Sequence, residues 1–339
     1  MVDLRDLQLY EIEELMACLG QPKFRAKQIF KWIYKGVTDF DEMNNLPKDL
    51  RQLLAEQCDI GRLEVLQVQR SKHDGTRKYL FRLEDGNTIE SVFMQYKYGN
   101  SICVSSQAGC RMGCRFCAST REGLARDLTP GEILSQLLEA QRDTGEEIRH
   151  IVVMGTGEPF DNYDNLAAFL HIVNDKNGLN ISMRNITVST CGLVPMIQRF
   201  SDDFPQVNLA ISLHGTTDQI RGSMMPVNKK YPVDVLLEAC RDYTRKTGRR
   251  ITFEYTMVNG VNDSDEDADR LCRLLRGMLC HVNLIPLNKV SQSGFDTVSR
   301  ARAKEFQSIL ENKGIPATVR RELGADIDAA CGQLRLGKR

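Results

Sequence analysis

The stretch SICVSSQAGCRMGCRFC, residues 101–117, begins as an apolar, β-branched strand and ends in a loop carrying Cys110, Cys114 and Cys117. Three thiols with no fourth at the usual C-x2-C partner spacing do not make a closed structural zinc site, which takes four protein ligands. A C-x3-C-x2-C loop directly after a strand suits instead a 4Fe-4S cluster held at three irons, with the fourth iron open. Gly109 and Gly113 let the loop wrap such a cluster, and Phe116 would shield it. The competing reading is a structural loop binding zinc, with Cys103 as the fourth ligand.

Outward from this strand the same rhythm repeats. Apolar runs at HIVVM, RNITVST, QVNLAISL, RITFEYTM, CHVNLIP and PATVRR alternate with helical segments such as TPGEILSQLLEAQRD, VDVLLEACRDYTRK and RAKEFQSIL. Six or so βα units with nearly continuous apolar strands predict an α/β fold, a parallel sheet covered by helices that is either open or curled into a partial barrel. The helix at 129–142 opens on a capping box, Thr129 with Glu132, and has Pro130 at its first position. Chemically rich residues fall at strand ends: GTGEP (155–159) follows HIVVM, Ser189 ends RNITVST, Ser212 and His214 end QVNLAISLH, and Asn288 follows NLIP. Side chains gathered at the C-terminal ends of successive parallel strands build one site in folds of this kind.

The first part of the chain reads differently. Helices are expected at LRDLQLYEIEELMACLG, PKFRAKQIFKWIYKG and LPKDLRQLLAEQ, the second with Phe24, Ile29, Trp32 and Ile33 on its apolar side. Lys23, Lys27, Lys31 and Lys35 recur at i, i+4, i+8 and i+12 on that helix, a cationic stripe that serves either as a solvated face or as a nucleic-acid contact. KYLFRL, the turn signal EDGN and TIESVFM predict a hairpin. The expected organisation is a helical accessory domain over 1–55, a β-hairpin connector over 56–95, and an α/β domain over 96–339.

Composition narrows the class. Among 339 residues, 42% are hydrophobic and 27% charged, and neither an apolar run of membrane-spanning length nor a signal-peptide pattern occurs, so a cytoplasmic enzyme is expected. The 45 basic and 45 acidic residues cancel, which confines any nucleic-acid site to a local patch. Eleven cysteines without a disulfide-like framework point to metal or thiol chemistry in a reducing compartment. Cys18, Cys58, Cys240, Cys272 and Cys280 sit in apolar patterns and are expected in the core, while Cys191 is left open. Cys331, in the small-residue, acid-flanked DIDAACGQLR, looks like a nucleophile on a loop able to move between two partners.

CRMGCRFC has the CxxxCxxC pattern of radical S-adenosylmethionine (radical SAM) enzymes, and GTGEP resembles the motif with which that superfamily binds the cofactor's amino group. Taken with CVSSQAGCRMGCRFCAST, SLHG and DIDAACGQLR, and with the lysine-rich N-terminal helices, the sequence from about residue 3 onward closely resembles the RlmN/Cfr family, radical SAM methyltransferases of adenine in RNA. The resemblance implies a partial (β/α)6 barrel of the radical SAM type with a small N-terminal RNA-binding domain. It implies cluster ligation by Cys110, Cys114 and Cys117, and cofactor contacts from Gly157, Glu158, Ser189, Ser212, Leu213, His214 and Asn288. By the same resemblance one S-adenosylmethionine methylates Cys331, and a second gives a 5′-deoxyadenosyl radical that activates this methyl group for addition to an adenine carbon. Glu90 matches the family's proton acceptor, although a plain strand glutamate is the alternative, and Cys103 resolves the covalent adduct through a transient disulfide with Cys331.

Implied partners are 23S rRNA, tRNA, and an electron donor such as flavodoxin or ferredoxin; a monomer and no membrane are expected. Pro159 in GTGEP favours methylation of adenine C2 over the Cfr-type reaction at C8 that confers antibiotic resistance. Two other readings compete: a radical SAM enzyme for a peptide or small molecule, which has no need of Cys103 and Cys331, and a zinc-bound RNA-binding module, which leaves GTGEP and SLHG without a purpose.

Overall fold

Buried apolar strands separated by one-sided helices assemble into a single mixed sheet, and the computed structural model describes residues 1–288, 294–321, 323–329 and 334. The chain opens with β1 (Val2–Asp3), α1 (Leu9–Cys18), α2 (Phe24–Tyr34), α3 (Lys48–Gln57) and β2 (Cys58–Asp59), with β2 pairing parallel to β1. Helix α2 buries Ala26, Ile29, Phe30, Ile33 and Tyr34. The apolar side read from the sequence is therefore rotated. Phe24 is 56% exposed, and half-buried Trp32 turns its indole N–H to Asn45 Oδ1 at 2.6 Å with the Lys35 ammonium 4.6 Å over its ring. Cys18, expected in the core, is exposed at the end of α1, whereas Cys58, Cys240, Cys272 and Cys280 are buried.

The hairpin strands β3 (Glu64–Arg70), β4 (Arg77–Arg82) and β5 (Thr88–Tyr96) do not form a separate layer. They run antiparallel and join the main sheet through β6 (Gly99–Val104), where Val92 stands opposite Cys103. After β6, the short strands β7 (Gln107–Gly109) and β8 (Leu124–Asp127) pair across the cysteine loop and close its base. From β6 the sheet continues in parallel through β9 (Ile148–Val153), β10 (Ile186–Thr190), β11 (Asn208–Ser212), β12 (Ile251–Met257), β13 (Cys280–Pro286) and β14 (Ala317–Val319).

The crossovers are α4 (Pro130–Thr144), α5 (Tyr163–Asn174), α6 (Val194–Asp203), α7 (Asp218–Met224) with α8 (Val233–Thr247), α9 (Asp265–Leu275) and α10 (Arg300–Asn312). The ten strands lie in the order β14-β13-β12-β11-β10-β9-β6-β5-β4-β3, so among the described residues the sheet is open, with β14 and β3 at its edges. Sequential strands joined by helices and lying side by side give the partial-barrel arrangement, with every parallel strand ending at the same rim.

Helix α4 starts as its sequence predicts. Thr129 Oγ1 accepts from the Glu132 N–H at 3.2 Å, Glu132 Oε2 accepts from the Thr129 N–H at 3.0 Å, and Gly145 ends the helix at φ 70°. Its first turn also seats the N-terminal segment, because the Gly131 N–H donates to Asp6 Oδ1 at 2.7 Å. A Cβ at Gly131 would lie 2.7 Å from that oxygen and 3.0 Å from the Arg5 backbone. Gly131→Ala should therefore lower stability by about 1–3 kcal/mol in urea denaturation of the full chain. Gly222→Ala, where the nearest atom is 3.7 Å away, should cost nothing measurable.

Candidate active site

At the rim, the chain leaving β6 as Ser105–Ser106–Gln107 is overlaid by the GTGEP loop that follows β9. The Thr156 N–H donates to Ser105 Oγ at 2.9 Å, the Ser106 and Gln107 N–H groups donate to Thr156 O at 2.9 and 3.2 Å, and the Glu158 N–H donates to Gln107 Oε1 at 2.8 Å. This contact requires both glycines. A Cβ at Gly155 would stand 2.7 Å from Val104 O, and one at Gly157, where φ is 113°, 2.7 Å from Gln107 Cβ. The close approach that these glycines permit is thus first of all to the protein's own backbone. Glu158 is buried, and its oxygens accept from the Phe160 and Cys191 N–H groups at 3.0 and 2.7 Å. Burial raises its pKa against the pull of these hydrogen bonds.

A cavity of about 970 Å³, open to solvent, occupies the rim. Cys110, Cys114 and Cys117 line it together with Gly157, Glu158, Ser189, Ser212, His214 and Asn288, so nine of the residues singled out in the sequence converge. Burial pushes the Cys110 thiol up to about 12, with Glu158 and Cys117 adding to the shift. Cys114 is driven well above its ordinary range by burial and then by Cys117 and Cys110. Three thiolates this close are mutually destabilising without a cationic partner, and iron is such a partner; the donor set fits an iron–sulfur cluster.

His214 is held in an unusual state. Its φ is 53°, and Nδ1 accepts from the Thr256 N–H at 2.9 Å, which leaves the proton on Nε2. Burial, and then the charge of Arg221, lower its pKa from 6.5 to about 3. The ring packs edge-on to Phe116 at 4.9 Å, so the cysteine loop and the end of β11 touch through it.

Several residues were not read from the sequence. Arg221, 0% exposed, donates to the carbonyls of Cys191 at 2.6 Å, Leu213 at 3.2 Å and Ser212 at 3.3 Å, and to Asn228 Oδ1 at 3.0 Å, fastening the ends of β10 and β11 to each other. Glu254 and Arg320 line the cavity as well, as does Cys191, which the sequence left open. The one signal for Glu254 was a carboxylate in the middle of the apolar run ITFEYTM. It is buried, accepts from Asn283 Nδ2 at 2.8 Å, and has its pKa raised by burial.

Other expectations fall elsewhere. Leu213 does not line the cavity; its side chain is in the main core, its N–H is used by Glu254 O and its carbonyl by Arg221. Cys103 lies outside the cavity lining, which separates it from the three other cysteines and removes it as their fourth zinc ligand. It shares a small apolar cluster with Val92, Met94 and Leu334, against which Ala329 packs. Glu90 stands opposite Leu80, and Val92 opposite both Lys78 and Cys103, so the period-two alternation of strands puts Lys78, Glu90 and Cys103 on one face. Glu90 pairs with Lys78 at 3.4 Å. Cys331 lies outside the described residues; of its neighbours, Leu334 O accepts from Ser119 Oγ at 2.6 Å, just beyond the cysteine loop. Lys27 and Lys31 are exposed on α2 and Lys23 and Lys35 are exposed at its two caps; none of the four lines the cavity.

Comparison with known proteins agrees with this geometry. The model of the radical SAM superfamily matches residues 104–272. The crystal structure of a radical SAM methyltransferase from Sphaerobacter thermophilus superposes with a TM-score of 0.94, at 47% identity over 98% of this chain and 99% of that one. The protein is a radical SAM enzyme, a class that works with a 4Fe-4S cluster and S-adenosylmethionine.

Residues 2–60 match the ribosomal RNA large subunit methyltransferase N-terminal domain. Relatives from Alkaliphilus oremlandii (strain OhILAs) and Clostridium perfringens (strain SM101 / Type A), both named "Probable dual-specificity RNA methyltransferase RlmN", are 55% and 56% identical over 98% and 99% of this chain and 97% of each of theirs. The chain belongs to the RlmN family of radical SAM RNA methyltransferases. No helix among the described residues is long and apolar enough to cross a membrane.

A histidine whose pKa is lowered on folding binds fewer protons in the native state, so its contribution to stability is complete above 6.5 and is lost as the pH falls toward 3. Nitrogen NMR of labelled histidine should find His214 neutral, as the Nε2–H tautomer, from about pH 5 to 9; a titration near the ordinary value would contradict the geometry.

Proposed function

We propose that the protein methylates C2 of an adenosine in the peptidyl-transferase region of 23S rRNA, and the adenosine 3′ of the anticodon in certain tRNAs. The observation that carries this reading is that Cys103 and Glu90 share one sheet face, packed with the residues that flank Cys331 and adjoining the three-cysteine cavity. A radical enzyme acting on a peptide or small molecule has no use for that second constellation. The RlmN name of the relatives supports C2 rather than C8.

Cys110, Cys114 and Cys117 would hold the cluster. Glu158, which lines the cavity, would take the methionyl ammonium. Ser189, Ser212, His214 and Asn288 would meet the cofactor's carboxylate, ribose and adenine, with His214 acting as a donor through Nε2. Two S-adenosylmethionine molecules per turnover would supply a methyl group for Cys331 and the radical chemistry that activates it. The radical route answers a chemical need, because C2 of adenine is too electron-poor to attack a methyl sulfonium. Cys331 carries the methyl-derived carbon to C2, and Glu90 accepts the C2 proton. Cys103 then attacks the Cys331 sulfur and breaks its bond to the methyl-derived carbon, which keeps the electron pair and takes up a proton. The adduct's surplus electron passes to the electron carrier, and a disulfide forms as the methylated RNA leaves. The exposed lysines of α2 would meet RNA phosphates. A flavodoxin or ferredoxin would be the reductant, and the protein would act as a cytoplasmic monomer.

Mass spectrometry of nucleosides from protein-free 23S rRNA treated with the anaerobically reconstituted enzyme should yield 2-methyladenosine; 8-methyladenosine, or no methylated nucleoside, overturns the reading. Cys103→Ala should retain RNA as a covalent adduct and Cys331→Ala should form none, as read by denaturing gels. Cys114→Ala should lose bound iron and the brown colour. Free methylated RNA from the Cys331 variant would remove that residue from the chemistry.

A further inference from the structure

The turn between β3 and β4, together with β4 itself, fastens a segment about 250 residues away in sequence. The Lys72 N–H donates to Asp326 Oδ2 at 2.9 Å, and Asp74 Oδ2 accepts from the Gly324 N–H at 2.9 Å. Gly324 has a φ of 63°, and a Cβ there would lie 2.9 Å from Thr76 Cγ2. Lys78 Nζ donates to the carbonyl of Asp328 at 3.3 Å, where the backbone is again left-handed with φ 50°. Lys72, Asp74, Thr76 and Lys78 are alternate residues, and all four meet residues 324–328. Two left-handed positions, one of them not glycine, mark a segment bent to follow this contact.

The last of the four has a second partner. The same Lys78 ammonium lies 3.4 Å from Glu90 Oε1, and the two side chains are only 10% and 11% exposed. A lysine ammonium has three donors on one small charge, so it can hold a carboxylate and a carbonyl at once. RNA covering the site would displace water and strengthen the attraction between the two charges.

We propose that the β3–β4 turn is a clasp for the C-terminal segment and that Lys78 is a positioning residue for Glu90. A single ammonium then sets the proton acceptor and the backbone leading to Cys331 in fixed relation. The proposal deepens the function argued above and rests on its reading of Glu90 as proton acceptor. It also gives the hairpin a task beyond adding strands: β4 and its turn supply the contacts, and β5 carries the carboxylate.

The test is a single-turnover assay of the reconstituted full-length enzyme on protein-free rRNA, scoring RNA retained as covalent adduct per 5′-deoxyadenosine formed. Hydrogen exchange of residues 324–328 is read in parallel. Lys78→Met should release RNA about 10- to 100-fold more slowly, the range expected when a reacting group is misplaced by about 1 Å. Amide exchange across 324–328 should quicken, and Lys78→Arg, which keeps the charge and two donors, should restore most of both properties. Lys78→Met releasing RNA at the wild-type rate while Glu90→Gln stalls overturns the proposal and leaves Glu90 in its role. Glu90→Gln releasing RNA normally overturns the assignment of Glu90, and the proposal falls with it. Equal defects in Lys78→Met and Lys78→Arg with unchanged exchange also overturn it, because a packing defect alone then accounts for the loss.

Discussion

Two absent Cβ atoms govern the rim of the sheet. Because Gly155 and Gly157 are bare, the loop after β9 can lie against Ser105–Gln107, and the side chain of Gln107 becomes a hub between them. Gln107 Oε1 accepts from Glu158 N, while its Nε2 donates to Asp127 at 2.7 Å and to Asp161 at 3.0 Å. Asp161 in turn takes both arms of Arg111, which sits next to Cys110. The same contact extends to the hairpin. Ser105 Oγ donates to Glu90 O at 2.7 Å, and Gln136 bonds both Ser105 and Ser91. One close approach of backbone therefore fixes the cofactor loop, the cysteine loop and the strand of Glu90 with respect to each other.

Burial sets the charge of the groups that line the cavity. Its acids are pushed toward neutrality by burial, Glu158 and Glu254 among them, and its thiols stand far above their ordinary range. Arg221 is buried nearby, yet its guanidinium is spent on carbonyls and an amide that hold β10 to β11, while Arg320 in the lining acts on Glu254. The 4Fe-4S cluster and sulfonium cofactor of the radical SAM class would add positive charge that favours the ionised forms. The neutral His214 contributes shape and one oriented N–H without adding a competing charge.

Features carried by local chemistry were legible in the sequence. The parallel strands appear as continuous apolar runs because both of their faces are covered, the α4 capping box is written in four residues, and the cysteine loop stands out by its C-x3-C-x2-C spacing. Features carried by register were hidden. Nothing local says that Val92 will stand opposite Cys103, so the hairpin read as a connector when it is the part of the sheet that brings Glu90 to the thiol. Phe24 and Cys18 were assigned to the core by hydrophobicity alone, but they lie at a helix start and a helix end, where the last turn points past the packing surface. Leu213 stood between two true cavity residues and shared their motif, but strand alternation turned it the other way. Arg221 and Arg320 look like ordinary surface arginines until the fold buries one and aims the other inward.

The clasp also sets an order of events. Lys72, Asp74 and Lys78 precede their partners by about 250 residues, and Ser119 precedes Leu334 by 215. During synthesis every strand of the sheet and the whole cysteine loop therefore emerge before residues 324–328 and Leu334. Residues 324–328 reach their anchors on β4 and its turn only after the strands that carry those anchors are in place. A cluster held by the three-cysteine loop could thus be built before the contact between the hairpin and residues 324–328 closes.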